Sequence, residues 1–272
     1  MKAQRVGLVI LGCFVAVGVL APWLWPYDPY ARVTDPFSPP SRAHALGGND
    51  IGQDILSELI AGARVTLLIG VTAGAASVLV GTTVGLTAAH GPPLVARMAH
   101  ALTEVVLIIP KLPIAIVVAA YLGGGIGALV LVIAVVSWPV TARVVHAQAL
   151  SVRQREYVLA ARSIGAREFW IARQHLWPGV RGLVWVQFLL AVNSAALTEA
   201  GLSFLGLGDP TQKSWGTILH YAHARSAFLS DAWLWWALPP GLCLTLFLLG
   251  LTLAGRAFTN APGRESGLGK RN

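Results

Sequence analysis

Charged residues are scarce in this sequence. They make up 12% of the 272 residues, about half of the roughly 25% found in soluble domains. The mean hydropathy is +0.65, and apolar residues gather in runs of about 20, the length that crosses a bilayer. This composition predicts an all-α, polytopic membrane protein.

Cysteine is rare and the common nucleotide and metal motifs are missing. Cys13 and Cys243 both lie in apolar runs, and their number and spacing exclude a disulfide framework and a zinc site. The sequence has no G-x-x-x-x-G-K-[ST] phosphate loop and no H-E-x-x-H motif. We therefore predict no enzyme activity, no catalytic residue, no metal site and no cofactor bound by this chain.

The net charge is nevertheless positive, +8 from 20 basic and 12 acidic residues. Basic residues in short cytoplasmic loops orient membrane helices. No basic patch interleaved with aromatics, of the kind that binds nucleic acid, lies outside the loops. We interpret the charge as a topology signal, and we expect contact with membrane lipid and none with nucleic acid.

Six apolar segments are predicted to span the membrane. The first is about 20 residues long, longer than the apolar core of a cleaved signal peptide, so we expect it to be retained. The six ranges are 6–25, 65–89, 103–122, 127–146, 181–200 and 234–256.

Loop charges predict the orientation of these spans. Residues 1–5, 90–102, 147–180 and the tail after 256 are net basic and fall on one side. The opposite side holds most of the acidic residues. Because the basic side is cytoplasmic, both termini are predicted to lie inside, N-in and C-in.

The spans divide the chain into three predicted parts. These are an N-terminal transmembrane helix with an external loop at 1–64, a core transmembrane domain with a cytoplasmic loop (147–180) at 65–258, and a cytoplasmic tail at 259–272. In the external part, the proline-rich residues 26–50 predict an irregular loop. Residues 51–64 have helical apolar spacing and predict a short amphipathic helix on the outer face.

Small residues and prolines recur inside the spans. Gly70 with Gly74, and Gly81 with Gly85, form G-x-x-x-G pairs that predict close helix packing. Prolines also interrupt several spans, which suits a protein that moves. They are Pro110 and Pro113 in the third span, Pro139 in the fourth, and Pro239 and Pro240 in the sixth.

A few polar groups lie at membrane depth, where such groups usually face the protein interior or water. Glu104 either sits at the inner interface or faces inward. Asn193 and Glu199 lie within the fifth span, and Glu199 precedes a glycine-rich segment that contains Ser203. We interpret Asn193, Glu199 and Ser203 as a possible pathway or gate, with the alternative that Glu199 ties the outer ends of helices together.

Three histidines on the predicted outer side, His44, His220 and His223, raise the alternative of a metal site. Ordinary interfacial histidines explain them better, and we predict no metal site there.

One charged segment, EYVLAARSIGAREFW (156–170), interrupts the apolar runs. High helix propensity to Ile164 and the following glycine predict a short helix that Gly165 ends. Tyr157, Ala161 and Ile164 are predicted to share one face. A second helix is predicted over 166–176, ended by Pro178 and Gly179. Small residues and arginines on an exposed helix favour docking of a partner, the alternative being a solvated hairpin without one.

This segment resembles the "EAA" loop of permeases in ATP-binding-cassette (ABC) importers. Ala160, Ala161 and Gly165 match the pattern, as does Pro178. Two positions depart from it, because Leu159 replaces the glutamate and Trp177 replaces a leucine; Glu156 lies one turn earlier.

Two further stretches are similar to one subgroup, the dipeptide, oligopeptide and nickel permeases, and to its second permease subunit. They are PPSRAHALGGNDIGQDILSELIAGARVTLLIG (39–70) and EAGLSFLGLGDPTQKSWGTIL (199–219). The chain is thus identified as resembling a permease with the type I importer fold, in the inner (cytoplasmic) membrane.

The resemblance implies a function and a set of partners. The chain would form half of a translocation pathway for peptides, with nickel or a metal chelate as the alternative. It would pair with a homologous permease, two ATPase subunits that hold the ATP and magnesium, and an external substrate-binding protein. The residues implied in coupling to the ATPase are Glu156, Tyr157, Ala160, Ala161, Arg162, Ile164, Gly165 and Ala166.

Two other classes of function were compared with this one. An intramembrane enzyme needs paired catalytic groups at membrane depth, and the sequence offers scattered single ones. A channel would lack the docking hairpin.

Overall fold

The computed structural model describes residues 2–259, and the side chains of 4–255. The predicted tail, 259–272, lies outside this part of the chain apart from Thr259. Within the described part the secondary structure is helical, and extended pairing is limited to two isolated bridges, Arg32 with Gln53 and Gly48 with Asp54. Both bridges fall where the sequence predicts an external loop.

Eleven α-helices and two short helical turns make up the described chain. The helices are α1 (Lys2–Leu24), α2 (Ile55–His90), α3 (Pro93–Ile108), α4 (Lys111–Leu122), α5 (Ile126–Arg153), α6 (Glu156–Ser163), α7 (Glu168–Ile171), α8 (Trp177–Phe204), α9 (Trp215–Ala224), α10 (Trp233–Trp236) and α11 (Leu238–Thr259). A π-turn, Ala172–Leu176, joins α7 to α8, and a 3₁₀ turn, Ala227–Leu229, follows α9.

The helices supply the six predicted spans. Five helical stretches are long and apolar enough to cross a membrane, and α3 with α4 forms a sixth span if this bent pair counts as one. The outer connections differ in character from the spans, since residues 26–54 are irregular and residues 205–232 hold the short helix α9.

The predicted short helix over 51–64 begins at Ile55 and is the first part of a longer helix. Helix α2 begins at Ile55 and runs without a break for 36 residues, so the outer segment and the second span are one helix. The Asp54 carboxylate caps it by accepting a hydrogen bond from the Ser57 amide at 2.9 Å. No proline follows Asp54 before His90, so nothing stops the helix at residue 64.

The third span is not the continuous helix predicted over 103–122. It starts earlier, at Pro93, inside the predicted loop 90–102, and bends by 90° between Ile108 and Lys111. Ile109 is extended (φ −78°, ψ 128°) because the ring of Pro110 disfavours helical geometry at the residue before it.

Pro178 and Gly179 do not end a helix, contrary to the prediction. Helix α7, the π-turn and α8 form one stretch of 37 residues, Glu168–Phe204. In the π-turn the Trp177 amide bonds to the Ala172 carbonyl, five residues back. This wider turn comes immediately before Pro178, where it relieves the clash that a proline ring makes with the preceding helical turn.

Helix α2 is the centre of the bundle and packs on α1, α5 and α8. The predicted close packing of both glycine pairs is confirmed. A Cβ atom at Gly74 would lie 2.9 Å from the Val192 backbone on α8, and one at Gly81 would lie 2.5 Å from the Trp138 carbonyl oxygen on α5. The glycines therefore allow α2 to touch two neighbours backbone to backbone.

Candidate functional site

Helix α6 and helix α7 form a short hairpin between the fourth and fifth spans. The predicted turn at Gly165 is confirmed, since its φ is +84°. The Gly165 amide bonds to the Arg162 carbonyl at 3.0 Å, and the Ala166 amide bonds to the Ala161 carbonyl at 3.1 Å. These two bonds are those of a Schellman motif, the ending that a left-handed glycine gives to a helix.

The inner side of the hairpin is packed against the ends of the spans. Val158 of α6 forms a buried cluster with Ile171, Leu176 and Val152 of α5, and Leu86 of α2 packs on it. The Arg162 guanidinium and the Glu168 carboxylate lie 3.0 Å apart and connect the two hairpin helices. The hairpin is thus held firmly beneath the membrane-spanning bundle.

The outer side of the hairpin is both apolar and open. Ile164 and Phe169 are 87% and 77% exposed, and Tyr157 and Leu159 are about half exposed. Several large apolar side chains left exposed on one short hairpin indicate a contact with another protein. We refer to Tyr157, Ile164 and Phe169 as the hairpin patch.

The structure separates the residues predicted to couple to an ATPase. The prediction that Tyr157, Ala161 and Ile164 share one face is wrong, because Ala161 is buried while the other two are exposed. Helix α6 is only eight residues long and turns Val158 and Ala161 towards the bundle. Of the remaining predicted residues, Glu156, Ala160 and Gly165 are exposed and Arg162 and Ala166 are half-buried.

The residues predicted as a pathway or gate are bonded within the chain. The Asn193 amide donates to the Leu248 carbonyl at 2.9 Å and to the Thr252 hydroxyl at 3.2 Å, joining α8 to α11. The Glu199 side chain is fully buried and accepts a hydrogen bond from the Ser203 hydroxyl at 2.8 Å. The Asn193 contacts support a role in tying helices together more than one in lining an open path, whereas the bond between Glu199 and Ser203 lies within α8.

The segments that are predicted to be external are joined by a buried polar network. The Lys213 ammonium bonds to the Glu58 carboxylate at 2.6 Å and to the Gln53 side chain at 2.7 Å. Asn49 donates to the same Glu58 carboxylate at 2.9 Å. Beside this network lies a cleft of ≈ 330 Å³ that Asp50 and Arg225 help to line.

The three external histidines do not converge. His44 lies 2.9 Å from the Asp54 carboxylate, whereas His220 bonds to the Phe204 carbonyl and His223 stacks near Phe204. In the part of the chain that the structure describes, no three His, Cys, Asp or Glu side chains form a group able to hold a metal ion.

The helices α3, α4 and α5 carry a line of polar groups, of which the sequence analysis predicted only Glu104. Arg143 lies 3.8 Å from Glu104, and the rings of His100 and His146 are 4.9 Å apart. Lys111, at the start of α4, donates to the Ser194 hydroxyl at 2.7 Å. The signal was available, since Lys111, Arg143 and His146 all fall inside predicted apolar spans.

Comparison with known proteins places these features in a family. Residues 81–261 match the model described as "Binding-protein-dependent transport system inner membrane component". Residues 2–40 match the "N-terminal TM domain of oligopeptide transport permease C".

Curated relatives align with nearly the whole chain. The di/tripeptide transport system permease protein DppC of Pseudomonas aeruginosa is 35% identical over 268 residues, which cover 96% of this chain and 87% of DppC. The glutathione transport system permease protein GsiD of Pectobacterium atrosepticum is 32% identical, with 95% and 85% of the two chains covered.

The fold is shared with a solved importer. A chain of the MetNI methionine ABC transporter, in an inward-facing conformation, superposes with a TM-score of 0.60 at 18% identity, covering 75% of this chain and 97% of its own length. The fold is therefore that of a type I ABC importer permease, and the chain is a multi-pass protein of the inner membrane and not an enzyme. From the family match over most of its length, the chain belongs to the family of binding-protein-dependent transport system inner membrane components.

Proposed function

We propose that this permease imports peptides, as one of two permease subunits in an ATP-driven transporter. The curated relatives support a peptide substrate, since one is named for di- and tripeptides and another for glutathione, itself a tripeptide. The nickel alternative has no comparable support, because no relative described above is named for a metal.

The observation that carries the coupling role is the hairpin patch. The hairpin that carries this patch has a rigid inner side, packed on α2 and α5, and an exposed outer side that includes Ile164 and Phe169. An ATPase subunit that closes on this surface would bury the apolar side chains, and the hairpin would pass its movement to α8 directly. We propose that this is where one of two ATPase subunits docks.

The same arrangement supports an orientation with both termini in the cytoplasm. The hairpin lies at the ends of α5 and α8 that carry the basic residues Arg153, Arg155 and Arg173. Six spans then return both termini to this side. The external network around Lys213 lies at the opposite ends of α2 and α8, where we expect the substrate-binding protein to dock.

Co-purification tests the docking proposal. The ATPase subunits are expected to co-purify with the wild-type permease pair, and Ile164→Asp or Phe169→Asp should reduce the bound ATPase at least about tenfold by placing a charge in an apolar contact. The matched control is Leu229→Asp, because Leu229 is 89% exposed but lies in the external 3₁₀ turn. Equal recovery of ATPase with all three variants would contradict the assignment.

Uptake measurements test the substrate. Cells that carry the complete transporter should accumulate a labelled di- or tripeptide, and deletion of this chain should abolish that uptake. Accumulation of ⁶³Ni²⁺ without any of peptide would overturn the proposal.

A further inference from the structure

The bend in the third span carries a line of charged and polar groups on one side of the bundle. Nearest the cytoplasm, His100 of α3 stacks with His146 of α5. One helical turn further out, Glu104 faces Arg143. Beyond the bend, Lys111 reaches Ser194 of α8. We call these six residues the polar track.

The polar track is open on its outer side, and all of it except His100 falls within the predicted spans. Arg143 is 64% exposed, and the pair that it forms with Glu104 is long, at 3.8 Å. Charged groups at such depth almost always face a water-filled space or another protein. Since this chain leaves them uncovered, they face water in the transporter or the second permease across it.

Lys111 lies at the bend itself, where α4 begins. Its hydroxyl partner, Ser194, belongs to the part of α8 that packs beside Gly70 and Gly74, near the middle of the second span. Within residues 4–255, no carboxylate lies within 4 Å of the Lys111 ammonium. A half-buried ammonium that has a hydroxyl but no counter-ion is suited to an anionic ligand.

The bend provides the opening next to Lys111. Ile108 is 81% exposed, and Ile109 and Pro110 are exposed beside it, so the backbone turns away from the bundle where the ammonium emerges. Irregular backbone at membrane depth is tolerated where it is buried in protein or lines an aqueous cavity. The bend in the third span and the charge of Lys111 thus both indicate that this side of the bundle faces water.

We propose that Lys111 and Ser194 form an anion subsite on the translocation path, which binds the carboxylate of a passing peptide. The subsite rests on the proposed function for its ligand. Its single positive charge offsets the cost of moving a carboxylate through the middle of the membrane, and Arg143 below it presents the next cation towards the cytoplasm.

A pair of peptides tests the subsite. The complete transporter, in proteoliposomes with ATP inside and binding protein outside, is supplied with a labelled tripeptide or with the same tripeptide as its C-terminal amide. The binding protein is unaltered, so its own preference cancels when each peptide is compared between variant and wild type. Lys111→Met should lower uptake of the free acid about tenfold, as expected for the loss of a charge-assisted hydrogen bond, and uptake of the amide less than about twofold.

Lys111→Arg is the matched control and should retain most of the uptake of the free acid. A Lys111→Met variant that reduces both peptides equally, or neither, overturns the anion subsite. If the wild-type transporter takes up no peptide of either form, the proposed function fails instead, so the two failures are distinguishable.

Accessibility to water provides a second test that does not depend on uptake. In the Cys13→Ser, Cys243→Ser background, Lys111→Cys should react with a water-soluble methanethiosulfonate cation in the assembled transporter, and excess peptide should slow the reaction. Val9→Cys, on the exposed side of α1, should remain unreactive. A Lys111→Cys variant that stays unreactive with and without ATP would show that Lys111 does not face the path.

Discussion

At the scale of single residues, the backbone conformation is the one reason that position 165 requires a glycine, Gly165. A Cβ atom at this position would have no neighbour within 4 Å, so the open space would accept a side chain. The left-handed φ of +84° disfavours a side chain, since a residue other than glycine is strained by about 1–2 kcal/mol in this conformation.

Because the space at Gly165 is open and only its φ is restrictive, two substitutions can be compared that differ in their tolerance of this φ. Gly165→Val should distort the turn between α6 and α7 and reduce the coupling of ATP hydrolysis to transport several-fold, measured as peptide moved per ATP consumed. Gly165→Asn is the control, because asparagine tolerates the left-handed region. Equal coupling in the two variants would show that the turn geometry is unimportant.

Leu159 gives a prediction in the opposite direction. It stands where the resembling permeases carry a glutamate, and it is about half exposed on α6. It is two residues from Tyr157 and therefore lies on another face of the helix than the hairpin patch. A carboxylate here would stay hydrated in the free chain, so Leu159→Glu should change the melting temperature by less than about 2 °C, as surface substitutions do. ATPase recovery on co-purification should stay at the wild-type level or rise; a loss would indicate that an apolar contact has replaced the charged one.

The sequence was informative about residues whose role is local. Gly165 was predicted from its place after a strong helix former, because a helix C-terminus depends on neighbours in the chain. Asn193 and Lys111 were different, since the partners Leu248 and Ser194 lie 55 and 83 residues away. Nothing in a one-dimensional pattern specifies which helices meet at such distances.

At the scale of helices, close approach to α2 is the main constraint. The carbonyl of Trp138 would lie 2.5 Å from a Cβ atom at Gly81, and a backbone cannot yield as a flexible side chain does. Both helices would have to move apart, and with them the contact that holds the fourth span against the second.

We therefore expect Gly81→Ala to lower the free energy of unfolding by about 1–3 kcal/mol, the usual cost of overpacking. Gly12→Ala in α1 is the matched control, because nothing lies within 4 Å of its Cβ position and alanine favours the helix. Thermal unfolding in detergent should show Gly81→Ala melting below the wild type and Gly12→Ala at or above it. The reverse order would mean that the helices are less tightly packed than described.

Helix positions followed from apolar length, and helix breaks did not. The prolines at 110 and 178 carry the same local signal, yet one accompanies a 90° bend and the other lies inside a 37-residue helical stretch. The difference arises from the π-turn at Ala172–Leu176 and from packing of Leu176 and Ile171 under the bundle. Helix propensity, which depends on neighbouring residues in the chain, does not predict tertiary contacts of this kind.

At the scale of the whole molecule, the external side is fastened by the pair of Lys213 and Glu58. Both side chains are largely buried, and together with Asn49 and Gln53 they connect the N-terminal loop, α2 and the segment before α9. Removing one member leaves a buried charge without its partner, which costs more than the pair itself contributes.

Lys213→Met should accordingly lower the free energy of unfolding by about 3–5 kcal/mol. The double variant Lys213→Met, Glu58→Gln should recover part of that loss, because no uncompensated charge remains. Both are measured by thermal unfolding of the purified transporter. A double variant less stable than Lys213→Met alone would show that the Glu58 carboxylate stabilises the fold even without Lys213, through its bond from Asn49.

The fold class, the number of spans and the hairpin between the fourth and fifth spans were thus predictable, because apolar length and local propensity determine them. The external network and the polar track were not, since each joins residues from three or more separate segments. Both kinds of feature meet in α8, which starts at the hairpin and carries Ser194 of the polar track.

The unbroken stretch from Glu168 to Phe204 has a mechanical consequence. At 37 residues it is about 55 Å long. Gly179 lies tightly against Val152, with a Cβ position only 2.8 Å from its methyl group, and this contact can serve as a fulcrum. The arm on the hairpin side is then about 16 Å and the outer arm about 38 Å. Such a lever more than doubles the stroke, so a push of about 2 Å on the hairpin patch would swing Phe204 through about 5 Å.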